Sequence, residues 1–323
     1  MTPEQNTSPN IQRAIQPGID RPMRIGTRQS PLAMVQAEMV MKALRSSNGW
    51  SSDQVELVPM IATGDKIQDR ALADIGGKAL WTKELDRALL EGDIDCAVHS
   101  MKDVETVRPN DLIIAAMLER ADTHDRIIGA QNIKDLPEGA VVGTASPRRK
   151  AQLLRQRSDL DIRLIRGNVQ TRLNKIRDGQ YDASLLAAAG LERLGMSDIG
   201  TRVSHGLMLP APAQGAIGIE ARSEDQVVRR LLHNISHTET YRAVIAERMF
   251  LLELGADCHS PVAALAVIDN HKLLLRAELL LPDGSEYVAH EISFESGEVN
   301  APQRLARHLL GEASDKLRAI FGK

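Results

Sequence analysis

Met23-Arg24-Ile25-Gly26-Thr27-Arg28-Gln29-Ser30-Pro31-Leu32-Ala33 passes from an apolar run through a short polar turn into helical spacing. Met23–Thr27 reads as a strand. Ser30 suits a helix N-cap and Pro31 the first helical position, where a missing N–H costs nothing. Leu32, Val35, Met39 and Ala43 then recur at the helical period. The same pattern returns twice. Ala140–Thr144 is followed by Ala145-Ser146-Pro147-Arg148-Arg149, with Leu153 and Leu154 beyond. Ile162–Ile165 is followed by Arg166-Gly167-Asn168, then Val169, Leu173 and Ile176. A helix start offers unpaired backbone N–H groups and the positive end of the helix dipole. Each of these three starts also carries arginine within a few residues. The repetition points to an anion-binding wall. Ordinary α/β junctions that happen to carry arginine are the competing reading.

Working outward, the strand candidates Val55–Ile61, Ile94–Val98, Leu112–Met117, Asp182–Ala188 and Ala216–Glu220 alternate with amphipathic helices. One such helix is Lys78–Glu91, with Trp81, Leu85, Ala88 and Leu89 on one face and a stop at Gly92. Alternation of this kind predicts mainly parallel sheets covered by helices. Past His237 the pattern changes. A helix over Thr240–Leu254 precedes a turn containing Cys258. Strand-like runs follow at Val262–Ile268, Leu273–Leu280 and Glu286–Ile292, and a helix over Pro302–Phe321 closes the chain. This part reads as a smaller α+β domain.

The 323 residues suffice for two or three domains. Hydrophobic residues make up 43% and charged residues 26%, as in an ordinary folded protein, so disorder is excluded for most of the chain. Aromatics at 2% leave too few rings for a base-stacking platform, and a net charge of −3 argues against a nucleic-acid coat. The charge is unevenly spread. Between Gly143 and Arg177 stand Arg148, Arg149, Lys150, Arg155, Arg157, Arg163, Arg166, Arg172, Lys175 and Arg177, opposed by Asp159 and Asp161. Arginine outnumbers lysine 29 to 11, and its planar fork grips carboxylate or phosphate with paired hydrogen bonds. A cleft for a polyanion and a solvated basic helix face both account for this cluster.

The longest apolar stretch, Ala183–Leu191, contains Ser184 and Gly190 and falls well short of the ~20 residues that span a bilayer. Met1–Arg21 is polar, with Pro3, Pro9 and Pro17, and lacks the apolar core of an export signal. Two cysteines, Cys96 and Cys258, make no disulfide framework. These features place the chain in the cytoplasm, away from membranes.

Single residues stand out against this background. Asp103 follows the apolar strand Ile94–Val98 in His99-Ser100-Met101-Lys102-Asp103, and strand ends of α/β sheets are where ligands bind. Lys102 sets an opposite charge beside it. A surface loop pair is the plain alternative. Cys258 sits in the polar turn Gly255-Ala256-Asp257-Cys258-His259-Ser260-Pro261, where accessible and buried readings are both open, whereas Cys96 lies inside a strand and reads as core. His233 and His237 are spaced i,i+4 with no third ligand in a metal pattern, so no metal site is expected. No phosphate-binding loop of either nucleotide class is present.

Taken together, the motifs resemble the porphobilinogen deaminase (hydroxymethylbilane synthase) family. They are Gly26-Thr27-Arg28-Gln29-Ser30-Pro31-Leu32-Ala33, Thr63-Gly64-Asp65, Gly76-Gly77-Lys78 through Lys83-Glu84-Leu85, and His99–Asp103. Gly143–Arg149, Arg166–Leu173, Gln214-Gly215-Ala216 and Cys258–Pro261 follow in the same order. The resemblance implies two periplasmic-binding-protein-like (type II) α/β lobes plus a smaller α+β C-terminal domain. It implies a first domain over 23–117 with 217–234, a second over 118–216 and a third over 235–323, behind the polar stretch 1–22 that reads as a flexible leader. The activity implied is head-to-tail joining of four porphobilinogen molecules with loss of four ammonia molecules, giving the linear tetrapyrrole hydroxymethylbilane. The primer is a dipyrromethane cofactor held as a thioether, by position on Cys258. The catalytic carboxylate falls on Asp103. Cofactor contacts fall on Arg28, Ser30, Lys102, Thr144, Ser146, Arg148 and Arg149, and contacts to substrate acetate and propionate on Arg28, Arg166, Arg172 and Arg193. The resemblance further implies a monomer. Two departures are visible. Ala256-Asp257 stand where the family has two glycines, and Glu105 replaces the proline after His99–Val104, which predicts a less rigid loop there.

Two rival readings remain distinguishable at this stage. A two-lobed small-anion receptor without turnover would use the helix starts and arginines but has no use for Cys258 and Asp103 together. A nucleic-acid-binding regulator would show salt-sensitive DNA binding.

Overall fold

The computed structural model describes residues 16–61, 82–257 and 259–321. Thr63-Gly64-Asp65, Gly76-Gly77-Lys78, Trp81, Cys258 and most of the leader lie outside the described residues.

Three sheets organise the chain. The first contains β1 (Met23–Arg28), β2 (Val55–Met60), β3 (Cys96–Ser100), β4 (Leu112–Met117) and β10 (Ile217–Arg222), in the order β2-β1-β3-β10-β4. The second contains β5 (Asp125–Ile128), β6 (Val141–Gly143), β7 (Asp161–Arg163), β8 (Ala183–Ala187) and β9 (Thr201–Val203), in the order β7-β6-β8-β5-β9. The orders are the same scheme used twice, with one strand of each sheet supplied from across the interlobe crossing. The third sheet is β11 (Val262–Asp269), β12 (Lys272–Leu280) and β13 (Tyr287–Glu295), antiparallel throughout.

The expectation of mainly parallel sheets needs correcting. β10 runs antiparallel to both β3 and β4, and β5 antiparallel to both β8 and β9. The reversal follows from connectivity, because each of these strands begins where the chain has just crossed from the other sheet. β5 and β9 were also not foreseen. At four and three residues they are too short to show alternation.

The helices are α1 (Pro31–Asn48), α2 (Lys83–Leu90), α3 (Pro147–Gln156), α4 (Val169–Arg177), α5 (Ala188–Arg193), α6 (Gln226–His233), α7 (Thr238–Leu254), α8 (Ala301–Glu312) and α9 (Asp315–Arg318). The single C-terminal helix foreseen over Pro302–Phe321 is two helices, because Ala313 is extended and Ser314 caps a new start, accepting from the Leu317 N–H. His237 caps α7 through its ring Nδ1, which accepts from the Thr240 N–H.

Each sheet has its own core. Ile25, Val40, Leu44, Val98 and Ile219 pack the first lobe. Ile127, Val142, Leu153 and Leu185 pack the second, and Phe250, Leu254, Leu275, Leu279 and Leu305 the third domain. Two short segments connect the lobes, one between β4 and β5 and one between β9 and β10. A buried carboxylate of α7 ties both to the third domain. Glu247, 0% exposed, accepts from Arg120 Nη1 at 2.7 Å in the outward segment and from the Ala213 N–H at 2.5 Å in the return segment. It also accepts from the Ala266 N–H of β11 at 2.7 Å. Arg120 Nε closes the loop by donating to the Gln214 carbonyl at 2.9 Å.

Removing one partner of a buried pair leaves an uncompensated charge. Glu247→Gln is therefore expected to lower unfolding free energy by about 3–5 kcal/mol, measured by urea denaturation, whereas Glu253→Gln on an outer face of the same helix should change it by less than about 0.5 kcal/mol.

Candidate functional site

A cavity of about 680 Å³ opens between the two lobes. All three arginine-bearing helix starts read from the sequence border it. At the first, Ser30 caps α1 by accepting from the Ala33 N–H at 3.3 Å, with Pro31 at the first helical position. At the second, Ser146 caps α3 by accepting from the Arg149 N–H, and the Ser146 N–H donates to Thr144 Oγ1 at 3.1 Å. At the third, Asn168 caps α4, accepting from the Thr171 N–H at 2.9 Å. A fourth start was missed, that of α5 after β8, which brings Ala189, Gly190 and Arg193 to the wall. Its apolar run, Ala183–Leu191, hides the boundary between strand and helix.

Asp103 enters the cavity from the first lobe. The short 3-10 turn Met101–Asp103 follows β3 directly, and the Met101 N–H donates to the Ala216 carbonyl at 3.1 Å. Gly218 of β10 allows this close packing, because a Cβ there would lie 2.0 Å from Met101 Sδ. Arg28, Lys102, Arg149, Arg166, Arg172 and Arg193 line the same cavity, and Asp103 is its one lining carboxylate among the described residues. Ser30 and Gln36 lie at the mouth of a smaller adjoining pocket that also reaches Asp103 and His99.

The cations are held at an electrostatic cost. Burial, then the neighbouring Arg149 and Arg166, pushes Arg172 down to about 10. Burial likewise pushes Arg193 down to about 10. Lys102 is lowered by burial, with Asp103 opposing. Arg172 Nε donates to the Gly167 carbonyl at 2.9 Å and Arg193 Nη2 to the Gly215 carbonyl at 2.6 Å. Among the described residues the buried Nε atoms of Arg149 and Arg193 have no hydrogen-bond partner. Buried cations that carry depressed pKa values and orphaned donors are complementary to a ligand bearing several carboxylates. A dipyrromethane carrying carboxylate side chains fits that description.

Three expected contacts do not line the cavity. Arg148 is 3% exposed and turns into the second lobe, where it meets Asp125 Oδ2 at 2.9 Å, Gln152 Oε1 at 2.9 Å and the Leu209 carbonyl at 2.9 Å. Thr144 is buried, and Thr144 and Ser146 spend their hydroxyls as acceptors within the turn that precedes α3. Adjacent residues on a helix point about 100° apart, and here Arg148 turns inward while Arg149 borders the cleft. Arg149 meets the other Asp125 oxygen at 2.7 Å and still reaches the cavity. Sequence reading passed over Asp125. Two adjacent arginines at a buried helix start demand a carboxylate, and that demand was the available signal.

The loop after Asp103 is fixed. Glu105 had been expected to loosen it in place of proline. Its carboxylate instead meets Arg108 Nη1 at 2.7 Å and accepts from Thr82 Oγ1 at 3.0 Å, and its carbonyl accepts from Arg248 Nη2 at 2.6 Å. Charge pairing replaces ring rigidity. The same loop reaches the third domain, where Thr106 Oγ1 donates to the Ala256 carbonyl at 3.1 Å. The chain two residues before position 258 is thus held against the loop that follows Asp103. Asp257 Oδ1 accepts from the His259 N–H at 2.9 Å and closes the turn. Cys96, by contrast, is fully buried in β3, and burial pushes its thiol up. Among the described residues no group of three or more His, Cys, Asp or Glu side chains is arranged to hold a metal ion.

Burial alone would raise the Asp125 carboxyl. Arg148 and Arg149, with a hydrogen bond from Gln214, outweigh it and hold the group far below the usual carboxylate range. A depressed folded pKa contributes stability that is present above the unfolded value of about 4 and lost as pH falls below it. Asp125→Asn should cost about 3–5 kcal/mol at pH 7, and in urea titrations its deficit against the parent should narrow as pH is lowered below about 4.

Residues 23–230 match the family model described as porphobilinogen deaminase, dipyromethane cofactor binding domain, and 241–312 match the model of its C-terminal domain. A protein named porphobilinogen deaminase from Sphingopyxis alaskensis is 55% identical over 309 residues, covering 94% of this chain and 97% of that protein. One of the same name from Paracoccus denitrificans is 47% identical over 278 residues, covering 85% and 89%. Among solved structures, the VFT2 domain of Bordetella pertussis BvgS aligns with a TM-score of 0.39 at 14% identity, over 66% of this chain and 85% of that one.

Proposed function

The chain belongs to the porphobilinogen deaminase family, and from that premise we propose that it joins four porphobilinogen molecules head to tail, releases four ammonia molecules and frees hydroxymethylbilane by hydrolysis. One observation carries the reading: six cationic side chains from both lobes line one cavity with Asp103, its one lining carboxylate among the described residues. A receptor for one small anion has no need of so large a surplus, and a polycarboxylated chain does.

Dipyrromethane, held through Cys258, supplies when bound the electron-rich pyrrole carbon from which the product grows. Arg28, Ser30, Lys102 and Arg149 are the residues that would hold it. Thr144, Ser146 and Arg148 act behind them, because their hydrogen bonds fix the helix start that carries Arg149. Arg28, Arg166, Arg172 and Arg193 take the acetate and propionate groups of incoming porphobilinogen as paired charges. Pairing relieves the burial cost that Arg172 and Arg193 bear alone.

Asp103 does the proton work. As ammonia leaves the substrate, positive charge develops on the pyrrole, and a carboxylate positioned beside it stabilises that charge. The same oxygens exchange a proton at the aminomethyl nitrogen and at the attacked pyrrole carbon. The bond from Thr106 to Ala256 supports an anchor close to this carboxylate. The reading divides the chain into domains at 23–117 with 217–234, 118–216 and 235–323. It also takes the protein to act as a cytoplasmic monomer with no nucleic-acid or membrane partner. Among the described residues no helix is long and apolar enough to cross a membrane.

Asp103→Asn keeps the shape and loses the charge. It should retain the covalent adduct and lose at least about 100-fold in rate, read as ammonia released from porphobilinogen. A variant that turns over like the parent removes this role from Asp103. Mass spectrometry of the denatured parent should show a dipyrromethane addition on the Cys258 peptide, and Cys258→Ser should show the bare mass. An unmodified Cys258 in parent protein exposed to porphobilinogen would sink the whole reading.

A further inference from the structure

A second basic cavity lies away from the cleft, along the free edge of the first sheet. It measures about 490 Å³ and shares no lining residue with the interlobe site. Its floor is apolar and includes Ile114 of the edge strand β4. Arg229, Arg230 and His233 of α6 form one wall. Their i, i+1 and i+4 positions share one side of the helix, and Val228 and Leu232 on the other side are fully buried. Tyr241 and Arg242 of α7 form the opposite wall.

The walls are fixed to the edge strand. Tyr241 Oη donates to the Ile114 carbonyl at 3.0 Å, and the His237 N–H donates to the Met117 carbonyl at 2.7 Å. Among the described residues no carboxylate lines the cavity. Among the described residues Arg229, Arg230 and Arg242 form no ion pair, although Arg229 Nη1 donates to the Ser223 carbonyl at 2.6 Å. Elsewhere on this chain surface arginines do find acids, as Arg163 does with Asp161 and Arg304 with Glu298. Three arginines and a histidine around one hollow, with no acid among them, form a site of unmet positive charge.

We propose that this cavity is a second ligand site, one that takes a small planar organic anion carrying several carboxylates. Each feature selects part of that ligand. Guanidinium forks without lysine favour planar carboxylates over point contacts. The Tyr241 ring and the apolar floor favour an aromatic body between the charged groups. The volume suits a small organic molecule. Because the cleft also takes carboxylated rings, the test must separate the two sites.

Benzene-1,2,4,5-tetracarboxylate is a suitable probe, titrated calorimetrically into the full chain, with inorganic pyrophosphate as the comparison. Arg230 and Arg242 are exposed, so Arg230→Ser with Arg242→Ser should leave the fold and the rate of ammonia release unchanged. That variant is expected to bind the probe at least tenfold more weakly than the parent. Arg172→Ser, which alters the cleft, should bind it at this site as the parent does, and added salt should weaken binding in both. The proposal is overturned if the parent shows no second binding event, if Arg172→Ser abolishes it, if the double variant retains it, or if pyrophosphate binds there more tightly than the probe.

Discussion

Among the described residues, six cations and one carboxylate, Asp103, line the interlobe cavity, and like charges so gathered repel one another. Three of them are braced from behind. Arg149 leans on Asp125, Arg172 on the Gly167 carbonyl and Arg193 on the Gly215 carbonyl. The braces are backbone or fully buried groups, so the guanidinium groups keep their direction when the cavity is unfilled. Burial, joined at Arg172 by the neighbouring Arg149 and Arg166, depresses the pKa values of Arg172 and Arg193, a cost that pairing with a polyanion would offset.

The cavity also depends on how the two lobes and the third domain are joined. Glu247 joins them by bonding to both interlobe segments and to β11 at once. Arg248, the next residue, bonds the carbonyls of Val104, Glu105 and Thr106. One turn of α7 thus fixes the hinge on one side and the loop behind Asp103 on the other. The third domain is a small α+β unit, and its helix ties the interlobe segments to the loop that follows Asp103.

The departures from the family pattern fit the same logic. Glu105 gains Arg108 and Thr82 as partners, so a proline's stiffness is replaced by a charge network that also includes Asp86 and Glu220. Asp257 closes its own turn through the His259 N–H, a local hydrogen bond that the family's glycine could not make.

Sequence alone determined the elements whose signals are local. The Ser30-Pro31 and Ser146-Pro147 helix starts, the strand ahead of Asp103, the arginine cluster and the change of pattern past His237 all depend on neighbouring residues, and those rules act over a few positions. The family motifs added Cys258 and the assignment of roles. Tertiary structure decided what depends on distant partners. It turned Arg148 inward to Asp125 and left Arg149 in the cleft, reversed β5 and β10 within their sheets, and gave Glu105 its partners. Charge pairing and hydrogen bonding between residues on different elements leave no periodicity in a chain, so they become visible only when folding brings the groups within about 3 Å.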